Sequence, residues 1–119
     1  MNTKSGKAKG RRLQNWVAEQ ISILTGFPWG QDEAIEPRVM GQSGVDVHLE
    51  KRVLEHFPFS VEAKNVERLS FWPSVNQARA NELPGTDWLL FIKKNREKPV
   101  VVMGAEQFFQ LIEEWMPGG

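Results

Sequence analysis

Residues 41–65 read GQSGVDVHLEKRVLEHFPFSVEAKN, and their alternation decides how the rest of the chain is arranged. In the first half, Val45, Val47 and Leu49 fall on one side while Asp46, His48 and Glu50 fall on the other. In the second half, Val61 and Ala63 share a side and Glu62 and Lys64 take the opposite one. Period-2 alternation is the signature of a half-buried strand. Two strands, at 45–52 and 58–64, are therefore expected.

Paired antiparallel about a turn near Leu54–Glu55, these strands set Asp46 opposite Glu62 or Lys64. Directly opposed residues share a face, with Cβ atoms about 4.5–5.5 Å apart. Two carboxylates and an amine then gather on one side of a sheet. Without a cation the carboxylates repel and one pKa rises. A divalent metal removes the conflict, and Mg2+ is commonly held by one or two carboxylates together with water and phosphate oxygens.

Outward from this hairpin, the spacing of Leu13, Trp16, Val17, Ile21 and Leu24 predicts an amphipathic helix over 10–25, ended by Gly26. Residues 26–37 carry prolines and glycines without a period and read as a loop, followed by a short strand at 38–40. A helix starting near Pro73 runs up to Pro84-Gly85. The continuous apolar run at 87–92 predicts a buried strand. A further strand at 99–103 and a last helix with the stripe Phe108, Leu111, Ile112 and Trp115 complete the chain. The expectation is an α/β fold, a mixed central β-sheet flanked by helices.

The chain has 119 residues, enough for one domain. It has no cysteine, which excludes disulfides and thiolate metal sites. No apolar run approaches the ~20 residues of a membrane span, so a soluble, cytoplasmic protein is expected. Formal net charge is zero but unevenly spread. Lys4, Lys7, Lys9, Arg11 and Arg12 give the first twelve residues five cations and no acid. Residues 1–9 read as a flexible basic arm, ahead of one domain over 10–119.

Asp46 followed by Glu62-Ala63-Lys64 on the next strand resembles the D…(D/E)xK signature of the PD-(D/E)XK nuclease superfamily. The order helix, three-strand meander, helix, strand over residues 10–103 is similar to the αβββαβ restriction-endonuclease-like core of that family, here with an extra strand and a C-terminal helix. The resemblance implies Asp46, Glu62 and the Ala63 carbonyl as ligands of Mg2+, for which Mn2+ would substitute. It implies Lys64 as the group that orients the attacking water or stabilises charge on the phosphorane. Within the superfamily the chain looks most like a small Holliday-junction resolvase. In those enzymes a first-helix glutamate completes the metal site, which would be Glu19. A glutamine facing the site from the helix after the ExK strand would be Gln77.

Ser43, in the turn before Asp46, resembles the serine-glycine turn of archaeal-type resolvases and would donate to phosphate. Lys7, Lys9, Arg11, Arg12, Arg38 and Arg79 are the expected DNA contacts, which position a backbone without reading sequence. Trp29, Phe71 and Trp72 are candidates for stacking on bases. The implied partner is branched DNA, whose two-fold symmetry requires a homodimer. The alternatives are a non-catalytic nucleic-acid-binding module on the same fold and a repair or exonuclease-type member of the superfamily.

Overall fold

A computed structural model describes residues 3–38 and 44–118. Helix α1 (Thr3–Thr25) is followed by strands β1 (Ile35–Pro37) and β2 (Val47–Leu49), a single helical turn α2 (Lys51–Leu54) and strand β3 (Phe59–Asn65). Helix α3 (Phe71–Ala80), strands β4 (Asp87–Lys93) and β5 (Val100–Val102), and helix α4 (Ala105–Trp115) follow. The five strands form one mixed sheet in the order β1-β2-β3-β4-β5. All neighbours run antiparallel except β3 and β4, which are parallel and joined through α3. A parallel pair needs such a crossover because a tight turn cannot return the chain to the same end.

The two faces of the sheet are set by alternation. Val47, Leu49, Val61 and Ala63 point toward α1, where Leu13, Val17, Ala18 and Ile21 meet them in a continuous core with Ile35 and Val53. Leu90 and Trp88 on β4 pack with Val75 and Ala78 of α3 in a second, smaller cluster. The register Ser60↔Trp88 and Glu62↔Leu90 puts Ser60 and Glu62 level with that second cluster. Each large aliphatic side chain so buried contributes roughly 1.5–3 kcal/mol.

Several expectations are corrected. Helix α1 begins at Thr3, so most of the basic arm is helical. Lys7, Ala8 and Lys9 are good helix formers that extend a helix already nucleated by its buried stripe. Asn65 Nδ2 donates to the Lys9 carbonyl at 2.9 Å and fastens this end to β3. The stripe itself is rotated: Gln14 and Ala18 are buried in it, whereas Trp16 and Leu24 are exposed.

The strand expected over 45–52 stops at Leu49. There the chain turns into α2, with Val53 0 % exposed and Lys51 and Arg52 outward. Val53 and Leu54 N–H groups both donate to the Glu50 carbonyl, a helical pattern that serves Val53 burial better than an extended one. The first strand lies at 35–37, inside the expected loop, because Ile35 is needed in the core. The Val39-Met40 part of the expected strand falls outside the described residues.

Gly26 ends α1 as expected, with φ +82° and its N–H on the Ser22 carbonyl at 2.8 Å. Helix α3 starts two residues before Pro73, which is tolerated because the first-turn N–H groups have no helical acceptor. Among the described residues no helix is long and apolar enough to cross a membrane.

Candidate metal centre

Asp46 stands just before β2, where that strand begins to part from β3. Its N–H donates to the Val61 carbonyl and its carbonyl accepts from Arg38 N–H, each at 2.8 Å. The residue is thereby clamped from both sides. Gly44, with φ +92°, makes the approach to it in a conformation that a side chain would strain.

The Asp46 side chain takes over where backbone pairing ends: Oδ2 accepts from the Ala63 N–H at 2.7 Å. The N–H and C=O of a strand residue leave on the same side, so the Ala63 carbonyl also faces the Asp46 strand.

Val47 pairs with Val61, which sets Asp46 level with Glu62 one residue further on. The two carboxyl groups share a side-chain hydrogen bond. Glu62 is only 2 % exposed. Burial first, then the charge and hydrogen bond of Asp46, push its pKa from 4.5 up to about 7, against the opposing pull of Asn81 and Lys64. Asp46 is also raised by burial, while the Ala63 N–H, Glu62 and the Lys64 charge hold it down. The pair therefore keeps one proton on Glu62 in neutral-to-acid solution, with Asp46 as the acceptor. Lys64, two residues on along β3, is half-buried and its charge acts on both carboxylates.

Asn81, the C-cap of α3, reaches Glu62 Oε2 with its Nδ2 at 3.3 Å. A half-buried hydroxyl pair sets where this end of the helix lies. Ser60 Oγ and Thr86 Oγ1 are 2.6 Å apart, and Ser60 Oγ also accepts from Leu83 N–H at 2.9 Å. The 83–86 turn is thus tied to β3 two residues from Glu62. Gln77, one turn earlier, is exposed. The helix amide that bonds Glu62 is Asn81, four residues on from Gln77 and so on the same side of α3.

Glu19 is exposed on α1. Among the described residues no three acidic or histidine side chains come together, so Glu19 does not join Asp46 and Glu62. The reason is the rotated stripe. With Leu13, Gln14, Val17, Ala18 and Ile21 turned inward, position 19 faces outward. Among the described residues of α1 the buried polar side chain is Gln14, whose Oε1 has no hydrogen-bond partner among the described residues. A glutamine interrupting an apolar stripe was its visible signal.

The expected DNA contacts are scattered. Lys7, Arg11 and Arg12 are exposed along α1. Lys9 lies 3.6 Å from Glu67 in a surface ion pair that solvent screens. The Arg79 guanidinium stacks over the Trp88 ring at 5.6 Å. Arg38 adjoins Asp46 through its backbone, and Ser43 lies outside the described residues. Phe71 and Trp72 are both exposed at the start of α3, edge to face with centroids 5.1 Å apart.

Comparison with family models, with curated proteins and with solved structures found no match. The meaning of this site rests on its own geometry. Two carboxylates and a backbone carbonyl on one side of a strand junction form an all-oxygen donor set. That set suits a hard divalent cation such as Mg2+ and not a thiophilic metal.

Proposed function

We propose that this chain is a Mg2+-dependent, structure-specific DNA endonuclease with a PD-(D/E)XK core, acting on branched DNA of the four-way-junction type. The observation that carries the reading is the grouping of Asp46, Glu62 and Lys64 across the β2–β3 junction, with Asp46 bonded to Ala63 N–H. The connectivity supports it: α1, the β1-β2-β3 meander, the α3 crossover and parallel β4 match the αβββαβ order.

In this reading Asp46, Glu62 and the Ala63 carbonyl hold the metal. Bound there, the metal supplies Lewis-acid polarisation of the phosphate and a more acidic water. Binding requires Glu62 to release the proton it shares with Asp46, so metal and proton compete for the site. Asn81 keeps the Glu62 carboxylate oriented while this happens. The Lys64 ammonium orients the attacking water and stabilises negative charge as it develops on the phosphoryl oxygens.

Junction cleavage implies paired cuts by a two-fold dimer. Helix α4 offers a surface for one, since Phe108, Phe109, Leu111 and Trp115 are all exposed and the helix buries none of its residues. Such a contiguous apolar face is unusual on a protein that remains a monomer.

The test is cleavage of a four-way junction beside matched linear duplex, fork and single strand, with Mg2+. Junction cutting that Asp46→Asn and Glu62→Gln each lower by at least about a thousandfold (~4 kcal/mol), with binding kept, is the expected result. Binding without cutting by the unaltered chain would favour a non-catalytic module. Equal cutting of every substrate would favour a general repair nuclease.

A further inference from the structure

At the β1 edge of the sheet a cleft of about 420 Å3 opens between α1 and the loop before β1. Arg11 and Asn15 line it from the helix, Trp29 and Gln31 from the loop, and Glu36 and Arg38 from the strand and its exit. Its size lies within the roughly 300–1,000 Å3 of small-molecule sites. The cleft is separate from the carboxylate pair but adjoins it. Arg38 lines the cleft, and its own N–H donates to the Asp46 carbonyl at 2.8 Å.

The loop that presents Trp29 is braced. Ile35 N–H donates to the Pro28 carbonyl at 3.2 Å and Gly30 N–H to the Ile35 carbonyl at 3.0 Å, so Trp29 and Ile35 form a bridge. Glu36 Oε2 accepts from Asp32 N–H at 2.8 Å, which turns the one lining carboxylate toward the loop backbone. Trp29 is 36 % exposed, enough to offer a surface.

Together these groups define a ligand class. Two guanidinium groups suit an anion, preferably phosphate. An indole suits a planar aromatic ring. Asn15 and Gln31 each carry both a donor and an acceptor, as the edge of a nucleobase does. A base stacked and paired within a duplex shows neither its face nor its pairing edge. From this we infer that the cleft receives one unpaired nucleotide, its base against Trp29 and its phosphate between Arg11 and Arg38, beside the scissile position. The inference rests on the nuclease reading and sharpens it: selection of branched over linear DNA is made at the β1 edge, by the presence of a base free to leave the stack.

The test measures binding in EDTA, so that it does not depend on cleavage. The probes are a duplex with a single bulged 2-aminopurine and the same duplex with that base paired. The full chain is expected to quench the bulged fluorophore and to bind the bulged duplex at least about tenfold more tightly, the scale of one base–aromatic stack. Trp29→Phe keeps both properties and Trp29→Ala loses both. Arg11→Ala, at an exposed position off the core, weakens the preference without removing the quench, and it stands in if Trp29→Ala does not fold. Equal affinity for the two duplexes, or quenching unchanged in Trp29→Ala, overturns the inference. Trp29-dependent bulge binding by a chain that never cuts with Mg2+ would keep the cleft assignment and sink the nuclease reading alone.

Discussion

The two faces of the sheet are built to opposite rules. On the α1 face, Leu13, Val17, Ala18 and Ile21 close over Val47, Leu49, Val61 and Ala63. On the α3 face, Val75, Ala78, Trp88 and Leu90 make a smaller apolar cluster level with Ser60 and Glu62. Beyond it α4 stands off the body with Trp115 80 % exposed. The difference teaches where the chain keeps its stability and where it keeps its ionisable pair. A face sealed with aliphatic side chains leaves no room for ionisable groups. A half-covered one can hold a carboxyl pair at the boundary of water, where desolvation and metal access coexist.

That contrast can be broken by mutation. Leu13→Ala, on the sealed face, is expected to lower the unfolding free energy by about 2–5 kcal/mol. Trp115→Ala, on the open side, should stay within about ±0.5 kcal/mol at protein concentrations where the chain is monomeric. Urea denaturation followed by circular dichroism would decide it. A large loss from Trp115→Ala at high dilution would mean that α4 is anchored to its own body after all.

The carboxyl pair gives the next effect in size. Glu62 has a folded pKa of about 7, above its ordinary 4.5. Its contribution to stability is therefore complete at pH below the lower value and is lost as pH rises through the higher one. In EDTA, stability should fall across that window, by an amount of at most roughly 3 kcal/mol at ~1.4 kcal/mol per unit. Glu62→Gln keeps the shape and removes the proton equilibrium, so its urea midpoint should be flatter with pH. An equally steep profile in the variant would assign the slope to another group. Millimolar Mg2+ should shift the transition toward lower pH in the native chain.

The smallest expected effect is at Glu19, exposed on the outward side of the helix whose other side is sealed. Glu19→Gln should leave stability within about ±0.5 kcal/mol and the Mg2+-dependent rate within about threefold. A tenfold fall in that rate would return Glu19 to the metal centre.

How much of this was legible in sequence depended on whether a local period carried the information. The alternation in VDVHL and FSVEAK sets the faces of β2 and β3, and with them the Asp46–Glu62 juxtaposition, because strand geometry leaves few other ways to pair them. Helix α1 was legible in its length from residue 10 onward but not in its rotation. Trp16 looks like core by hydrophobicity, yet the sheet accepts the slimmer Ala18 and leaves the indole outside. The turn of helix at α2 was hidden because Lys51–Leu54 fits an alternating pattern nearly as well as a helical one. Asn81 was invisible for another reason. Its place over Glu62 depends on the Ser60–Thr86 hydroxyl contact, made between residues 26 positions apart.

The pairing of Val47 with Val61 has a further consequence for quality control. Side chains alternate with a period of two, so a slip of β2 by one residue would drive Asp46 into the aliphatic layer and lift Val47 out of it. The penalty falls on the core and not on the chemistry. A mispaired chain is therefore eliminated as an unstable fold before it can persist as a folded chain with its carboxyl pair undone. Sorting by stability proofreads the carboxyl pair without inspecting it, and a chain that has sealed its α1 face has already aligned Asp46 with Glu62.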